Sequence, residues 1–123
     1  MATSSGKTIV LGASLNPERY SHLAIQLLRS EGREVLAVGP TPGRVADVDI
    51  QPMIPQADDV DTVTLYLKAS NQSAYYEDIL RLQPRRIIFN PGTENPELEQ
   101  MAAAQGIEVQ EACTLVLLRT GQY

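Results

Sequence analysis

The chain has 123 residues and a formal net charge of −5, with 43% hydrophobic and 20% charged residues. This length suits one domain with its own core, and the acidic balance argues against a nucleic-acid ligand, which needs a basic face. A single cysteine, Cys113, excludes an internal disulfide, and no apolar run approaches the ~20 residues of a membrane span. Since the N-terminus also lacks the pattern of a signal peptide, we expect a cytoplasmic protein with no membrane contact, a disordered tail at residues 1–6 and one domain at residues 7–123.

The first half of the chain alternates apolar runs with helical spacing. Thr8–Leu11 and Val35–Val38 are short and rich in β-formers, which predicts buried strands, and the apolar positions of Tyr20–Ser30 predict a helix between them. Residues 41–60 are rich in proline and aspartate. We therefore expect an irregular connection there, with at most a short strand or turn near Ile50–Ile54, in place of a second crossover helix.

Regular patterning returns in the second half. Three further strands are predicted over Thr62–Leu67, Arg86–Phe89 and Ile107–Val109. Two helices separate them, one capped by Ser70 or Asn71 and ending at Leu82, and one from about Asn95 to Gln105. Thr93 is the expected N-cap of the second helix, and the apolar tail Thr114–Leu118 fits either a strand or a helix.

The regular alternation of strands and helices determines the predicted fold. It indicates an α/β protein: a single Rossmann-like domain with a five-stranded parallel sheet, order 3-2-1-4-5, and helices on both faces. Ligands of such sheets bind at the carboxyl ends of the strands, beside strand 1, where the strand order reverses. The residues that follow each strand are therefore the candidate site.

The loop after strand 1 has the composition of a phosphate-binding turn. Gly12 permits a sharp turn and a close approach to a ligand, while the following helix start offers unpaired N–H groups and the positive end of its dipole. Ser14 and Arg19 add a hydroxyl donor and a positive charge. The dinucleotide motif G-x-G-x-x-G is incomplete, because Ser14 and Pro17 stand at its second and third glycines, and no P-loop motif is present. A purely structural turn is the alternative.

The ends of strands 2 and 3 narrow the ligand class. No acidic residue follows Val38 until Asp47, which disfavours NAD, whose ribose hydroxyls usually meet a carboxylate there. The same feature is compatible with coenzyme A or NADP. Lys68 after strand 3 is either a phosphate contact or an ordinary solvated lysine.

Catalytic and metal-binding groups are sparse in the sequence. The only histidine, His22, falls in the first turn of helix 1 without an evident carboxylate partner, and Cys113 has no second histidine to activate it. No cluster of histidine and cysteine suggests a metal site. We therefore expect a non-catalytic protein.

Several segments in chain order together carry a family pattern: Gly12–Ser21, Val38–Pro40, Asp61–Val63 and Asn90–Asn95, with Cys113. With these residues the chain resembles, over about residues 7–118, the small stand-alone coenzyme A-binding proteins related to the N-terminal domain of the succinyl-CoA synthetase α subunit. The phosphorylated histidine and grasp domains of the synthetases lie beyond the matching segment. The resemblance thus implies a Rossmann-like fold that binds coenzyme A and no synthetase chemistry.

The resemblance also implies a set of ligand-binding residues, with the pyrophosphate at the first loop. Phosphate would be held by Gly12, Ala13, Ser14 and Arg19, with Tyr20 beside them. Gly39 and Pro40 would border the adenine or ribose, and the other wall would be formed by Tyr66, Leu67 and Lys68. The pantetheine exit would be flanked by Asn90, Pro91 and Gly92.

Two other functions stay open at this point. One is a small NAD(P)-binding redox protein that uses Cys113 or His22. The other is an interaction protein that has kept the fold and lost its ligand. For each of the three functions, coenzyme A binding included, the chain can pair as a homodimer or bind a partner protein.

Overall fold

A computed structural model of the protein describes residues 6–123. Its strands are β1 Lys7–Leu11, β2 Val35–Val38, β3 Gly43–Val45, β4 Val48–Gln51, β5 Val60–Leu65, β6 Arg86–Phe89 and β7 Glu108–Glu111. Its helices are α1 Tyr20–Ser30, α2 Tyr76–Leu82, α3 Pro96–Ala104 and α4 Thr114–Arg119, with 3-10 turns at Ala69–Asn71 and Ser73–Tyr75. The predicted disordered tail, apart from Gly6, lies outside the described residues.

The α/β fold is confirmed, but the predicted sheet is wrong in its strand count and in one position. All seven strands form one sheet of order β3-β4-β2-β1-β5-β6-β7, in which β3 runs antiparallel to β4 and the other pairs are parallel. The predicted order places strand 3 beside strand 2, but in the structure the strand beside β2 on that side is β4. Thr62–Leu67, the predicted third strand, instead falls largely in β5 and lies between β1 and β6.

The missed strands form a hairpin over residues 43–51. Val45, Val48 and Ile50 are buried, while the intervening Asp49 is exposed, so the alternation that marks a strand is present but covers only a few residues. The turn between the strands, Ala46–Asp47, lacks the Asn-Gly or Asp-Gly signature of a tight hairpin. The second crossover helix is absent between β2 and β4, as the sequence predicts, and β3 takes its place in the chain.

Helices cover both faces of the sheet, as expected. On β1 the side chains alternate, so that Ile9 and Leu11 join the core under α2 and α3, while Val10 joins the core under α1 and α4. From α1, Ile25 and Leu28 are fully buried, which contributes about 1.5–3 kcal/mol for each side chain. The two cores fix the strands whose carboxyl ends form the candidate site.

Several helix limits differ from those predicted. The helix predicted to end at Leu82 begins with the two 3-10 turns and becomes α-helical only at Tyr76, without a cap from Ser70 or Asn71. The N-cap of α3 is Asn95, whose side chain accepts a hydrogen bond from Leu98 N–H at 3.2 Å, and not Thr93. Residues 114–118 lie in α4, which packs against α1. Within residues 6–123, no helix is long and apolar enough to cross a membrane.

Candidate functional site

A cleft of about 650 Å³ opens at the carboxyl ends of β1 and β5. At this point the strand order reverses, because the chain continues from β1 to β2 on one side and from β5 to β6 on the other. The helices α1 and α2 therefore lie on opposite faces of the sheet. Nine of the predicted residues line the cleft: Gly12, Ala13, Ser14, Arg19, Tyr20, Pro40, Tyr66, Leu67 and Pro91. The cleft is also lined by five residues that are not among the predicted site residues: Leu15, Asn16, Glu18, Ser21 and Thr41.

The loop between β1 and α1 is pressed against its neighbours. Gly12 has φ +102°, and a Cβ there would lie 3.1 Å from the carbonyl carbon and Cβ of Tyr66. The N–H groups of Gly12 and Ala13 both donate to the carbonyl oxygen of Val38, at 2.9 and 2.8 Å. A Cβ on Gly39 would lie 2.3 Å from the carbonyl oxygen of Ala13. Backbone contacts therefore fix the loop on the end of β2.

The N-terminus of α1 faces the cleft without a side-chain cap. Arg19 is its N-cap residue, in extended conformation, and makes no capping hydrogen bond. The N–H groups of Tyr20, Ser21 and His22 find no acceptor among residues 6–123. These donors, together with the positive end of the helix dipole, form a ready site for an anion.

Side chains within the same loop are used to shape it. Ser14 Oγ accepts from Asn16 N–H at 3.1 Å, and Asn16 Oδ1 accepts from Glu18 N–H at 3.0 Å. His22 is only 8% exposed, and its Nδ1 donates to the carbonyl oxygen of Ser14 at 2.9 Å. This bond places the ring proton on Nδ1. His22 is thus a buried support of the loop rather than a solvated side chain.

The basic side chains near the cleft differ from most others in the protein in that they form no ion pair within residues 6–123. Most arginines of the described chain are in ion pairs, such as Arg29 with Asp47 at 2.8 Å. Arg19, on the cleft, and Lys68, exposed next to Leu67, form no ion pair within residues 6–123. Glu18 is the one carboxylate in the lining and opposes part of this charge. The unpaired cations of this edge are available to an anionic ligand.

Tyr66 joins the cleft to the core under α1. Its hydroxyl is buried and has no hydrogen bond of normal geometry within the described chain. Burial disfavours the phenolate and raises the pKa of Tyr66 to about 12, although the neighbouring hydroxyls of Thr114 and Thr64 act in the opposite direction. The phenol is therefore neutral at physiological pH and offers no base to the cleft.

Four of the predicted residues lie outside the lining: Gly39, Lys68, Asn90 and Gly92. Gly39 is buried beneath Ala13, and Lys68 and Gly92 are exposed. Asn90 is buried, and its Nδ2 donates to Thr64 Oγ1 and to the carbonyl oxygen of Leu65, at 2.7 and 2.8 Å. Asn90 therefore anchors the loop that carries Pro91, and its contact with a ligand stays a prediction.

Gln72 is a site-shaping residue that no sequence pattern indicates. It is fully buried, and its Nε2 donates to the carbonyl oxygens of Leu67 and Thr93, at 2.7 and 2.8 Å. A glutamine between two turns resembles an exposed polar residue in sequence. Only the tertiary fold brings these two loops together around it.

The other groups with reactive chemistry are not assembled into a centre. Cys113 is half-buried at the N-cap of α4 and does not line the cleft. In residues 6–123, no three histidine, cysteine, aspartate or glutamate side chains are grouped so that they could hold a metal ion.

The chain is similar to several known proteins. A family model described as a CoA binding domain matches residues 6–119. A crystal structure of an uncharacterized protein is 45% identical, covering 98% of this chain and 100% of its own, with a TM-score of 0.93. No curated protein resembles the chain at a significant level.

More distant structures share the fold alone. A protein from Thermus thermophilus is 22% identical over 96% of this chain and 90% of its own, with a TM-score of 0.81. A hypothetical protein from Pyrococcus horikoshii OT3 is 24% identical over 92% and 81%, with a TM-score of 0.82.

Proposed function

The chain belongs to the CoA-binding domain family, and on that premise we propose that it binds coenzyme A or an acyl-CoA in the cleft without catalysing a reaction. In this proposal the pyrophosphate lies against the N-terminus of α1. The adenosine lies towards Pro40 and Thr41, and the pantetheine arm leaves between Leu67 and Pro91.

The open N-terminus of α1 is the observation that carries the proposal. Among residues 6–123, the N–H groups of Tyr20, Ser21 and His22 have no acceptor, and the adjacent guanidinium of Arg19 forms no ion pair. A helix end carries a partial charge of roughly +0.5, and each hydrogen bond to a charged group contributes about 1.5–3 kcal/mol. An acidic protein that leaves these donors unpaired at a cleft is suited to one small phosphorylated ligand.

The end of β2 supports coenzyme A over NAD. Pro40 and Thr41 line the cleft where an NAD-binding domain commonly has a carboxylate for the ribose hydroxyls. A carboxylate there would repel the ribose phosphate of coenzyme A, and here that position is uncharged. Lys68, exposed beside Leu67, is a second cation within the same edge of the molecule.

The chemistry of the cleft supports a role in binding rather than reaction. The ring of His22 supports the loop through the carbonyl oxygen of Ser14 and does not line the cleft, and the Tyr66 phenol, which does line it, is neutral at physiological pH. A cytoplasmic sensor or carrier, acting as a homodimer or with another protein, is the role that we propose.

Calorimetric titration of the purified protein with coenzyme A tests the proposal, with NAD⁺, NADPH and ATP as competing ligands. We expect one site for coenzyme A and at least tenfold weaker binding of the others. Arg19→Ala should weaken coenzyme A binding about tenfold, which corresponds to about 1.4 kcal/mol. Arg119→Ala removes another exposed arginine, which forms no ion pair within residues 6–123 and lies outside the cleft lining, and it should change the affinity for coenzyme A less than twofold.

The competing functions predict other outcomes. Tight NADPH binding that does not depend on Arg19 would favour a redox protein. No binding of any nucleotide at millimolar concentration, with the fold intact, would favour an interaction protein that has lost its ligand.

A further inference from the structure

Gln72 lies at the junction of the two loops that form one wall of the cleft. It is 0% exposed, and it uses both the donor and the acceptor of its amide. Nε2 donates to the carbonyl oxygens of Leu67 and Thr93, and Oε1 accepts from Asn95 Nδ2 at 2.9 Å. A buried amide without such partners costs about 1–3 kcal/mol, so Gln72 and its partners hold one another in place.

The partners of Gln72 belong to different loops. Leu67 follows β5 and Thr93 follows β6, and the residues that line the cleft from these two loops are Tyr66, Leu67 and Pro91. Asn95 extends the network, because its Nδ2 also donates to Tyr76 Oη at 2.8 Å while its Oδ1 caps α3. The amide of Gln72 therefore sets the distance between the Leu67 loop and the Pro91 loop.

The opposite wall is held by separate contacts. The Gly12–Arg19 loop is fixed by the carbonyl oxygen of Val38, by its own Ser14 and Asn16, and by the ring of His22. None of the hydrogen bonds of Gln72 reaches this loop within the described chain. A change at Gln72 therefore acts directly on the Leu67–Pro91 wall, and it reaches the opposite wall only where Gly12 packs against Tyr66 and Leu67.

We propose that Gln72 is a positioning residue that fixes the Leu67–Pro91 wall for the pantetheine arm, and so determines how much the arm adds to the affinity for coenzyme A. This inference rests on the proposed function. Gln72 does not touch the ligand. It acts through the two backbone carbonyls that it holds.

The test compares two ligands on the same variants. Adenosine 3′,5′-bisphosphate carries the adenosine, the 3′-phosphate and the first 5′-phosphate of coenzyme A, but neither its second 5′-phosphate nor its pantetheine arm. Calorimetry gives the dissociation constants of both ligands. Gln72→Met keeps the length of the side chain and removes its hydrogen bonds. We expect its Kd for coenzyme A to rise about tenfold and its Kd for the bisphosphate to change less than twofold.

Two further variants separate positioning from stability. Ile79→Val shortens a fully buried side chain of α2 without touching the amide network, so it destabilises the fold and should leave both affinities unchanged. Asn95→Asp keeps the cap of α3 but removes the donor to Gln72 Oε1. If Gln72→Met fails to fold, Asn95→Asp should still raise the Kd for coenzyme A about threefold, with that for the bisphosphate unchanged.

The outcomes are distinguishable. If the wild-type protein binds coenzyme A, but Gln72→Met and Asn95→Asp weaken both ligands equally or neither, Gln72 is only structural and this inference fails alone. If the wild-type protein does not bind coenzyme A, the proposed function fails and this inference falls with it.

Discussion

Replacing Gly39 with alanine should displace the phosphate-binding loop. The new Cβ would lie 2.3 Å from the carbonyl oxygen of Ala13, which must move by about 0.7 Å to reach even the shortest tolerable contact. That movement strains the hydrogen bonds from Gly12 and Ala13 to the carbonyl oxygen of Val38. At about 0.5–1.5 kcal/mol for each bond, and with further loss of packing, we expect Gly39→Ala to cost about 2–3 kcal/mol.

Gly32→Ala is the matched control. Gly32 follows α1 with φ +78°, and a Cβ there would meet nothing within 4 Å, so this change reports only the backbone penalty of about 1–2 kcal/mol. Urea unfolding followed by circular dichroism gives both costs, provided that the m values are equal. Gly39→Ala should also weaken coenzyme A binding at least tenfold, and Gly32→Ala should not. A stable Gly39→Ala variant with wild-type affinity would refute this interpretation of the loop.

Three further changes test separate features. Gln83 ends α2 in the left-handed conformation, with φ +48°, which glycine adopts without a steric penalty from a Cβ. Gln83→Gly should therefore raise the free energy of unfolding, measured in urea, by about 0.5–1 kcal/mol. Because the folded pKa of Tyr66 is raised to about 12, the stability that it contributes is present below pH 10 and is lost as pH rises to 12; Tyr66→Phe should flatten this loss in alkaline unfolding curves. A hydrogen bond from Arg85 lowers the pKa of Asp61, so its contribution is present above about pH 4 and is lost in acid; Asp61→Asn should flatten the acid side of the stability profile, and an unchanged slope would contradict this.

The parts of the fold that the sequence predicts are those determined by local patterns. β1, β2 and β6 are buried on both faces and therefore appear as continuous apolar runs. The hairpin of residues 43–51 has one exposed edge strand, and its charged positions obscured the short alternation. The sequence pattern therefore predicts Thr62–Leu67 beside β2, although β4 occupies that position.

The residues of the candidate site also fall into two groups: those that a local sequence pattern predicts and those that only tertiary contacts bring to the site. Gly12, Ser14 and Arg19 were predictable because a strand, a tight turn and a helix start follow one another along the chain. Gln72 and Asn90 were beyond sequence reasoning as supports, since their partners lie up to 26 residues away in sequence and meet them only in the folded sheet. Nothing local in the sequence shows that the ring of His22 folds back under Ser14.

Backbone amide chemical shifts, followed by NMR while coenzyme A is added, test most directly whether the pyrophosphate lies at the N-terminus of α1. The three N–H groups of Tyr20, Ser21 and His22 should show the largest shifts, together with those of Gly12 to Ser14, and these shifts should be much smaller in Arg19→Ala. Saturating binding that leaves these amides unmoved, or no binding at millimolar coenzyme A, would contradict the proposed site.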